Sequence, residues 1–255
     1  MSLQGRVALV TGGGRGVGRA IAVALAEDGA DVAVNYRRDD AAAAEAVELV
    51  ERAGGTARAY CASIDDFEQD REMVEAVTAD LGPISILVNN AGIASRGNSV
   101  ADTDIAEMQR VVATHAFGAH YLSKLVIPRM RGAKRGDIVM ISSAATRSFG
   151  ANGAPYNMGK AALEALAMTL SKEEKRHDIR VNVVAPGLVE TEMGRRLVRA
   201  TAGVQDIRTL DADSPFGHVC QPEDVANVVR FLVSDSNSYV TGERLYVDGS
   251  GPYGA

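Results

Sequence analysis

Short apolar segments alternate along the chain with longer segments of helical periodicity. The apolar segments are rich in Val, Ile and Leu, as strands buried on both faces usually are. They are RVALVT (6–11), DVAVNY (31–36), ARAYCA (57–62), ISILVNN (84–90), GDIVMIS (136–142), IRVNVVA (179–185) and RLYVDG (244–249). Because strands and helices alternate, the pattern predicts right-handed crossovers and a parallel, doubly wound α/β sheet with helices on both faces. We expect a single domain over residues 1–255.

Two long helices and one irregular segment stand out between these strands. One helix is predicted from about Thr103 to Met130, and another begins near Pro155. Residues 191–221 break the alternation with a mixture of helix, polar residues, Gly and Pro. In a parallel sheet such an excursion is expected past the carboxyl ends of the strands, where ligands bind. A plain surface loop is the alternative.

Composition and charge exclude several classes of protein. The chain has 255 residues, of which 46% are hydrophobic, and a formal net charge of -6. No basic face indicates nucleic-acid binding, no apolar run predicts a membrane span, and the N-terminal segment lacks a signal-peptide pattern. We therefore expect a cytoplasmic protein. Its two cysteines, Cys61 and Cys220, are expected to be buried free thiols, and their spacing predicts no metal site.

A glycine-rich segment, TGGGRGVGRAIA (11–22), connects the first strand to the first helix. It does not fit the spacing GxGxxG, because Val17 occupies the place of the third glycine. The spacing that fits is Gly12, Gly16 and Gly18. Glycines let backbone amides approach a pyrophosphate, and the helix N-terminus favours negative charge. The segment predicts a dinucleotide site, with a tight turn that binds nothing as the alternative.

The end of the second strand bears on the choice of dinucleotide. A carboxylate there would bind a ribose 2′-hydroxyl and repel a 2′-phosphate, but this strand ends in VAVNYRRDD. Tyr36 and Arg37 stand at that end, and Arg15 adds a guanidinium from the glycine segment. Arginine suits bidentate contact with phosphate, so the sequence favours NADP(H) over NAD(H). The alternative is that Arg37 and Arg38 face solvent beside neighbouring aspartates.

A phenol and an amine stand four residues apart in APYNMGKAALEALAMTL (154–170). Positions i and i+4 are neighbours on a helix, so Lys160 can act on the space beside Tyr156. A nearby cation favours the phenolate and brings the pKa of tyrosine closer to neutral, which suits acid/base catalysis. Ser143 can donate a hydrogen bond to an oxyanion. The structural alternative is a packed tyrosine beside a lysine that reaches for solvent.

Five motifs follow one another at consistent spacing. They are TGGGRGVG (11–18), NNAG (89–92), Ser143, YNMGK (156–160) and PGLVET (186–191). The combination resembles the short-chain dehydrogenase/reductase family over nearly the whole chain, and within it the 3-oxoacyl-[acyl-carrier-protein] reductase type. The resemblance implies a Rossmann fold with a seven-stranded parallel sheet. It also implies hydride transfer between the nicotinamide C4 and a carbonyl or alcohol.

The same resemblance implies roles for individual residues. Tyr156 is the general acid/base, Lys160 lowers its pKa and holds the nicotinamide ribose, and Ser143 binds the substrate oxygen. The residues it implies around the cofactor, together with those already named, are Gly12, Gly14, Arg15, Gly16, Val17, Gly18, Tyr36, Arg37, Ser63, Ile64, Asn90, Ala91, Gly92, Pro186, Gly187, Val189 and Thr191. It further implies a homotetramer formed through the helices at 103–130 and 155–176 and the C-terminal strand.

Three positions depart from the family pattern, of which one, VDGSG in place of VDGG near the C-terminus, is minor. His115 stands where the family usually has an asparagine that holds a water linked to the lysine. A histidine can hold such a water or relay protons, can block the water, or can pack with no chemical role. Ser63 stands where an aspartate usually contacts adenine, and Asp65 is expected to cap the next helix instead.

The leading hypothesis is an NADP(H)-dependent carbonyl reductase or alcohol dehydrogenase, with 3-oxoacyl thioesters as one candidate substrate class. A catalytically weak dinucleotide-binding sensor or scaffold is the alternative, supported by His115 alone. A basic edge formed by IPRMRGAKRGD (127–137) and Lys172 suggests docking of an acidic acyl carrier, against a plain solvated surface. The apolar members of the excursion suggest an apolar or mixed substrate, and they are Met193, Leu197, Val198 and Phe216.

Overall fold

The computed structural model describes residues 2–250, and one seven-stranded sheet runs through them. All strands are parallel, in the order β3-β2-β1-β4-β5-β6-β7. They are β1 (Val7–Val10), β2 (Asp31–Tyr36), β3 (Ala57–Cys61), β4 (Ile84–Asn89), β5 (Gly136–Ile141), β6 (Ile179–Pro186) and β7 (Arg244–Val247). The predicted strands and their doubly wound arrangement are therefore confirmed.

Helices connect the strands and cover both faces of the sheet. They are α1 (Gly16–Glu27), α2 (Asp40–Arg52), α3 (Phe67–Asp80), α4 (Ile105–Val112), α5 (Gly118–Met130), α6 (Ala145–Ser148), α7 (Ala154–Glu174), α8 (Glu192–Ala202) and α9 (Pro222–Val233). One buried apolar cluster lies between the sheet and α1, α2 and α9. A second lies between the sheet and α3, α5 and α7. The strands are buried on both faces, which accounts for their nearly continuous apolar sequences.

The helix predicted from Thr103 to Met130 is not continuous. It begins at Ile105 and is interrupted by a π-helical turn, Ala113–Phe117, between α4 and α5. A π-turn inserts one residue into the helical repeat, which a simple periodicity cannot reveal, and such turns are frequent at functional sites. This turn carries His115.

The excursion at 191–221 is ordered structure at the carboxyl edge, the edge of the sheet formed by the C-terminal ends of its strands. It consists of α8 and two 3₁₀ turns, Ile207–Asp213 and Pro215–Gly217. Val198 is buried in a small cluster of its own with Ile207 and Val219, so it does not line a substrate pocket. The other apolar members, Met193, Leu197 and Phe216, are exposed.

Both cysteines were expected to be buried, and this expectation is wrong. Cys61 is exposed and Cys220 is half-buried; both are free thiols. Cys61 ends the edge strand β3, in which only the first residue is fully buried. Within residues 2–250, no helix is both long and apolar enough to cross a membrane.

Candidate active site

The glycine loop, residues 11–18, turns sharply at the end of β1. Gly12 and Gly16 adopt left-handed φ angles of 60° and 53°, which favour glycine. A Cβ on Gly18 would lie 2.3 Å from the Gly12 carbonyl oxygen, so a larger residue would open the loop. The loop therefore brings its backbone, without side chains at the glycines, to the N-terminus of α1, where a phosphate would bind.

Thr11 ties the glycine loop to the NNAG segment that follows β4. Its Oγ1 accepts hydrogen bonds of 2.9 Å from the backbone N–H groups of both Asn90 and Ala91. The Asn90 amide donates in return to the Thr11 carbonyl oxygen at 2.8 Å. The Asn90 side chain thus shapes the loop.

Asn35 supports the loop from β2, a role that the sequence did not reveal. It is buried; its Oδ1 accepts a bond of 3.2 Å from the Gly12 N–H, and its Nδ2 donates to the Ala62 carbonyl at 3.0 Å. A polar residue inside an otherwise apolar strand was the available signal, since buried amides are usually hydrogen-bonded.

The arginines after β2 are free to meet an anion. Asp39 caps α2 by accepting from the Ala42 N–H at 3.0 Å, and Asp40 is hydrogen-bonded to the Tyr36 phenol, which raises the pKa of that phenol. Arg37 and Arg38 are exposed, and neither forms an ion pair with any residue from 2 to 250. The neighbouring aspartates are thus engaged elsewhere and do not neutralise them.

Arg15, which its position in the glycine segment suggests for phosphate binding, is paired with a carboxylate. Its Nη1 lies 2.8 Å from Oε2 of Glu192, the first residue of α8. The glycine loop and the excursion also touch directly, because a Cβ on Gly16 would lie 3.2 Å from the Thr191 methyl carbon. Both side chains of the ion pair are well exposed, so the contact is weak and can be exchanged for a ligand.

The end of β3 differs in detail from the expectation. Asp66, and not Asp65, caps α3, by accepting from the backbone N–H groups at positions 68 and 69. Asp65 instead accepts a 2.5 Å hydrogen bond from Ser63 Oγ. Ile64 is buried against α5 in the second core cluster. Ser63, the predicted adenine contact, is more accessible than Ile64, the other residue predicted here for the cofactor site.

The PGLVET segment leaves β6 and leads into α8. The Pro186 carbonyl accepts from the Ala144 N–H at 2.7 Å, and the Gly187 N–H donates to Val247 at 3.0 Å. Val189 forms a bridge with Cys220. Thr191 Oγ1 caps α8 by accepting from the Gly194 N–H at 3.1 Å. These contacts bring the segment to the same edge as the glycine loop.

Ser143, Tyr156 and Lys160 lie together at the carboxyl edge. The Ser143 hydroxyl faces the Tyr156 phenol and lowers its pKa. Lys160 Nζ lies 5.8 Å from the centre of the Tyr156 ring and donates to the Ile141 carbonyl oxygen at 2.7 Å. Ser143 follows the end of β5, and the other two residues stand one turn apart on α7. Strand and helix therefore converge on one point.

Burial dominates the protonation of this group. It raises the pKa of Tyr156, an effect that the hydrogen bond with Ser143 opposes. It lowers the pKa of Lys160 to about 7, while Glu164 acts in the opposite direction. The expected lowering of the Tyr156 pKa by Lys160 is not seen, since only Ser143 opposes the effect of burial. Tyr156 is a neutral phenol at neutral pH, an acid rather than a base.

His115 lies against the same tyrosine. The two rings meet edge to face, with their centres 5.2 Å apart. His115 is almost completely buried between Gly92 and Gly159, where a Cβ on either glycine would collide with it. Its Nε2 lies 2.8 Å from the Ile93 carbonyl oxygen and 3.3 Å from the Ile93 N–H. The shorter contact is a hydrogen bond only in the tautomer that carries its hydrogen on Nε2, and that tautomer leaves Nδ1 as an acceptor. Nδ1 has no hydrogen-bond partner within residues 2–250.

Burial and the charge of Lys160 lower the pKa of His115 to about 3. The imidazole is therefore neutral across the physiological pH range. This pKa disfavours a proton relay through a charged His115, and the tautomer with its hydrogen on Nε2 offers an acceptor at Nδ1.

Comparison with known proteins agrees with this geometry. A family model described as Enoyl-(Acyl carrier protein) reductase matches residues 12–250. The chain belongs to the short-chain dehydrogenase/reductase family. An uncharacterized oxidoreductase of Methylorubrum extorquens is 37% identical over 247 residues, which cover 97% of this chain and 98% of the relative. The 3-oxoacyl-[acyl-carrier-protein] reductase FabG of Escherichia coli (strain K12) is 34% identical over 249 residues, which cover 98% of each chain.

A solved structure extends the likeness to the fold. That of 7 alpha-hydroxysteroid dehydrogenase, complexed with NADH and 7-oxo glycochenodeoxycholic acid, matches with a TM-score of 0.89 at 32% identity. The match covers 98% of this chain and 95% of that chain. This chain is therefore an oxidoreductase of the short-chain dehydrogenase/reductase type. Because that neighbour holds NADH, membership of the family does not by itself select the dinucleotide.

The basic edge of this short-chain dehydrogenase/reductase is smaller than its sequence suggested. Arg131 pairs with Glu174, and Arg135 pairs with Asp137. The members that form no ion pair within the described part of the chain are Arg129, Lys134 and Lys172. Two of the five basic residues therefore form ion pairs within the chain, and three remain to form a basic surface.

Proposed function

We propose that this protein transfers a hydride between NADP(H) and a carbonyl or secondary alcohol, with Tyr156 as the general acid/base. The observation that carries the proposal is the group formed by the Tyr156 phenol, the Ser143 hydroxyl and the Lys160 ammonium beside the glycine loop. An acid, an oxyanion donor and a cation are the three groups that ketone reduction requires.

The residues divide the reaction between them. Ser143 and Tyr156 hold the carbonyl oxygen by donating hydrogen bonds to it. As charge develops on that oxygen, Tyr156 Oη gives up its proton to it, and the product is an alcohol. The Lys160 ammonium stabilises the phenolate that remains, because an opposite charge at this range favours the ionised form. Because burial raises the pKa of Tyr156, the phenol holds at neutral pH the proton that reduction needs.

The residues at the carboxyl edge fit a nicotinamide dinucleotide. Gly18 is packed so closely against Gly12 that a side chain cannot occupy the loop, which leaves backbone N–H groups for a pyrophosphate. Asn90, Ala91 and Gly92 would line the ribose, and the segment from Pro186 to Thr191 would hold the carboxamide. When bound, the nicotinamide supplies or accepts the hydride.

NADP(H) is favoured because Arg37 is exposed and has no carboxylate partner in residues 2–250. Nicotinamide fluorescence titrations with NADPH and NADH test this preference. We expect Arg37→Asp to weaken NADPH binding about 10-fold or more, since charge-assisted bonds contribute about 1.5–3 kcal/mol, and to leave NADH binding unchanged. Arg52→Asp, which makes the same charge change at the far end of α2, is the control. Equal affinities for both dinucleotides would refute the preference.

Turnover with a panel of ketones, aldehydes and acyl thioesters tests the catalytic assignment. We expect Tyr156→Phe to lower kcat about 10²- to 10⁴-fold, the usual contribution of a positioned acid, with dinucleotide binding retained. Tyr239→Phe is the control, because Tyr239 is 96% exposed. Full activity of Tyr156→Phe would remove Tyr156 from the reaction.

A 3-oxoacyl thioester on an acidic acyl carrier is a second candidate substrate. It is supported by the unpaired Arg129, Lys134 and Lys172 and by the resemblance to FabG. Charge reversal of Arg129 and Lys172 should then raise KM for a carrier-bound substrate and not for the same acyl group on coenzyme A. Equal effects on both substrates would exclude carrier docking at this edge.

His115 is proposed to position a hydrogen-bonded group through Nδ1. The observations in support are its neutral state, the bond that fixes Nε2, and the free acceptor beside Tyr156. His115→Asn keeps an acceptor there, whereas His115→Leu removes it. Retained turnover in the first variant and reduced turnover in the second are expected. Equal activity of both would leave His115 a packing residue.

A homotetramer is proposed from the exposed apolar side chains of the long helices. Ile105, Phe117 and Met158 are 63%, 53% and 52% exposed, which favours burial against another copy. Sedimentation velocity should give a tetramer, and a monomer at micromolar concentration would refute it.

A further inference from the structure

Helix α7 carries a third polar residue in register with the two catalytic candidates. Tyr156, Lys160 and Glu164 are spaced by four residues, so they form a stripe on one face of the helix. Glu164 is only 7% exposed. Carboxylates are rarely buried unless they are paired, so its partners indicate its purpose.

Three segments of the chain bind this carboxylate. Glu164 Oε1 accepts hydrogen bonds from Ser142 Oγ at 2.5 Å and from Thr146 Oγ1 at 2.8 Å. Oε2 is bound by the guanidinium of Arg244 on β7. Both oxygens are therefore satisfied, by the end of β5, by α6 and by the edge strand.

The two hydroxyl donors stand on either side of Ser143 in the sequence. Thr146 Oγ1 also lies 2.8 Å from the Ser143 carbonyl oxygen, so its single hydrogen is shared between that oxygen and Glu164 Oε1. Lys160 donates to the Ile141 carbonyl oxygen at 2.7 Å. The polar residues of this stripe on α7 thus form hydrogen bonds with segment 141–146 on both sides of the catalytic candidate Ser143. Small displacements of a catalytic group are costly, since about 1 Å can lower a rate 10²-fold.

The same carboxylate is the negative group that faces Lys160. The groups around the Lys160 ammonium are Tyr156 and Glu164 on α7 and His115 from the π-helical turn. Tyr156 and His115 are both neutral at pH 7. Glu164 alone among these three opposes the effect of burial on the pKa of Lys160.

We propose that Glu164 is a positioning residue of this active site, which fixes Ser143 against Tyr156 through the hydroxyls on either side and favours the protonated form of Lys160. The inference rests on the proposed hydride transfer for its kinetic consequence. The contacts themselves are measurable without turnover.

A matched control lies on the same helix. Glu174 is also buried on α7 and is paired with a half-exposed arginine, Arg131, as Glu164 is with Arg244. Glu174→Gln therefore removes a comparable ion pair about 15 Å along the helix from Glu164, at about 1.5 Å per residue. An effect seen in Glu164→Gln and not in Glu174→Gln is therefore due to the location of Glu164 in the candidate site, and not to the loss of an ion pair on α7.

Steady-state kinetics with a small ketone and NADPH give the first readout. We expect Glu164→Gln to lower kcat about 10- to 100-fold with little change in dinucleotide affinity, because the serine is displaced and the cofactor loop is not. As pH rises, the variant should lose its activity at a lower pH than the wild type does, because its Lys160 has a lower pKa and loses its proton first. Glu174→Gln should match the wild type. Identical kcat values and pH profiles for the two variants would overturn the proposal.

An NMR titration of the Lys160 side chain gives a readout that needs no substrate. In Glu164→Gln its pKa should be about 1 pH unit lower than in the wild type, the usual effect of losing one nearby charge, and unchanged in Glu174→Gln. An unchanged value in Glu164→Gln overturns the proposal even if no carbonyl is reduced. Absence of turnover by the wild type, with the shift present, would instead refute only the proposed function.

Ser142→Ala and Thr146→Val provide the test if Glu164→Gln does not fold. Each removes one hydroxyl donor and leaves the charge of Glu164 in place. The combined variant should lower kcat without moving the pKa of Lys160. Wild-type kcat in that variant would show that the carboxylate does not position Ser143.

Discussion

At the amino-terminal edge of the sheet, Asp137 on β5 is buried and bonded by Arg6 and Arg135 at 2.8 Å each. The same arginines donate to carbonyl oxygens at the end of α9, so three elements are joined there. At the carboxyl edge, buried Lys160 donates only to a backbone carbonyl among the contacts within residues 2–250, and Nδ1 of His115 has no partner there. Asp137 therefore has oppositely charged partners within hydrogen-bond distance, whereas Lys160 has none within residues 2–250.

The difference separates groups that hold the fold from groups kept for a ligand. A satisfied buried ion cluster fixes geometry, and breaking it leaves uncompensated charge. Unsatisfied polar groups cost stability, so they persist where binding or catalysis uses them. Glu164 lies between the two cases, because it is fully bonded and yet faces the catalytic lysine.

The largest effect on stability is expected from Asp137→Ala. It leaves two partly buried guanidinium groups without their carboxylate, which should lower the free energy of unfolding by about 3–5 kcal/mol. Urea unfolding measures this loss. Asp235→Ala is the control, because Asp235 is 87% exposed and lies 3.9 Å from Arg135. A loss below about 1 kcal/mol, the value of an exposed pair, would make the two edges equivalent.

Lys160→Met should change how stability depends on pH. Burial lowers the pKa of Lys160 from 10.5 to about 7, so between these values the unfolded chain binds a proton that the folded protein does not. Its contribution therefore makes the wild type more stable as pH rises from 7 to 10, by up to about 1.4 kcal/mol per pH unit. The variant should lack this slope in urea unfolding at pH 7, 8.5 and 10. If the free energies of unfolding of the two proteins changed in parallel with pH, burial would not lower the pKa of Lys160.

Asp70 on α3 is a further buried group whose side chain has no hydrogen-bond partner within residues 2–250, and it lies outside the candidate site. It is fully buried, and neither oxygen has a partner within residues 2–250. Burial, followed by the charges of Asp66 and Asp65, raises its pKa from 3.8 to about 8. The folded protein therefore holds a proton that the unfolded chain has released, and this contribution to stability is lost as pH rises from 4 to 8.

Asp70→Asn should accordingly stabilise the protein at pH 9, by about 1–2 kcal/mol, and have little effect near pH 4. Thermal unfolding at the two pH values measures the difference. Destabilisation at both pH values would indicate that the carboxylate has a role that the contacts do not reveal.

The smallest effect is expected from Glu192→Gln. The variant releases Arg15 from its ion pair, and an exposed pair contributes about 0.2–1 kcal/mol. NADPH affinity should therefore rise about 2- to 5-fold in fluorescence titrations, because Arg15 becomes available to a phosphate. NADH affinity should not change. Weaker NADPH binding would mean instead that the pair holds the excursion over the dinucleotide.

The sequence predicts the sheet well because its strands are buried on both faces, as the Val- and Ile-rich β6 illustrates. It also predicts that Tyr156 and Lys160 share a helix face, since the spacing alone determines this. It misses features that depend on tertiary contacts. The π-helical turn at His115, the exposure of Cys61 and the capping of α3 by Asp66 are of this kind.

Glu164 is a residue of the candidate site whose position local spacing predicts but whose contacts it does not. The same i, i+4 spacing that pairs Tyr156 with Lys160 places Glu164 next on the stripe. Its hydroxyl partner Ser142 lies just beyond the end of β5, and the packing of α7 against that end is not encoded in local spacing. A charged residue within an apolar helix was the available signal.

The central claim is that the carboxyl edge performs hydride transfer with Tyr156 as the acid. We would incubate the protein with NADPH deuterated at the nicotinamide C4 and a reducible ketone, and follow deuterium in the alcohol by mass spectrometry. The account predicts deuterium on the carbinol carbon with the wild type, and a loss of about 10²-fold or more in Tyr156→Phe at equal NADPH binding. Deuterated alcohol at equal rates from both proteins would contradict it.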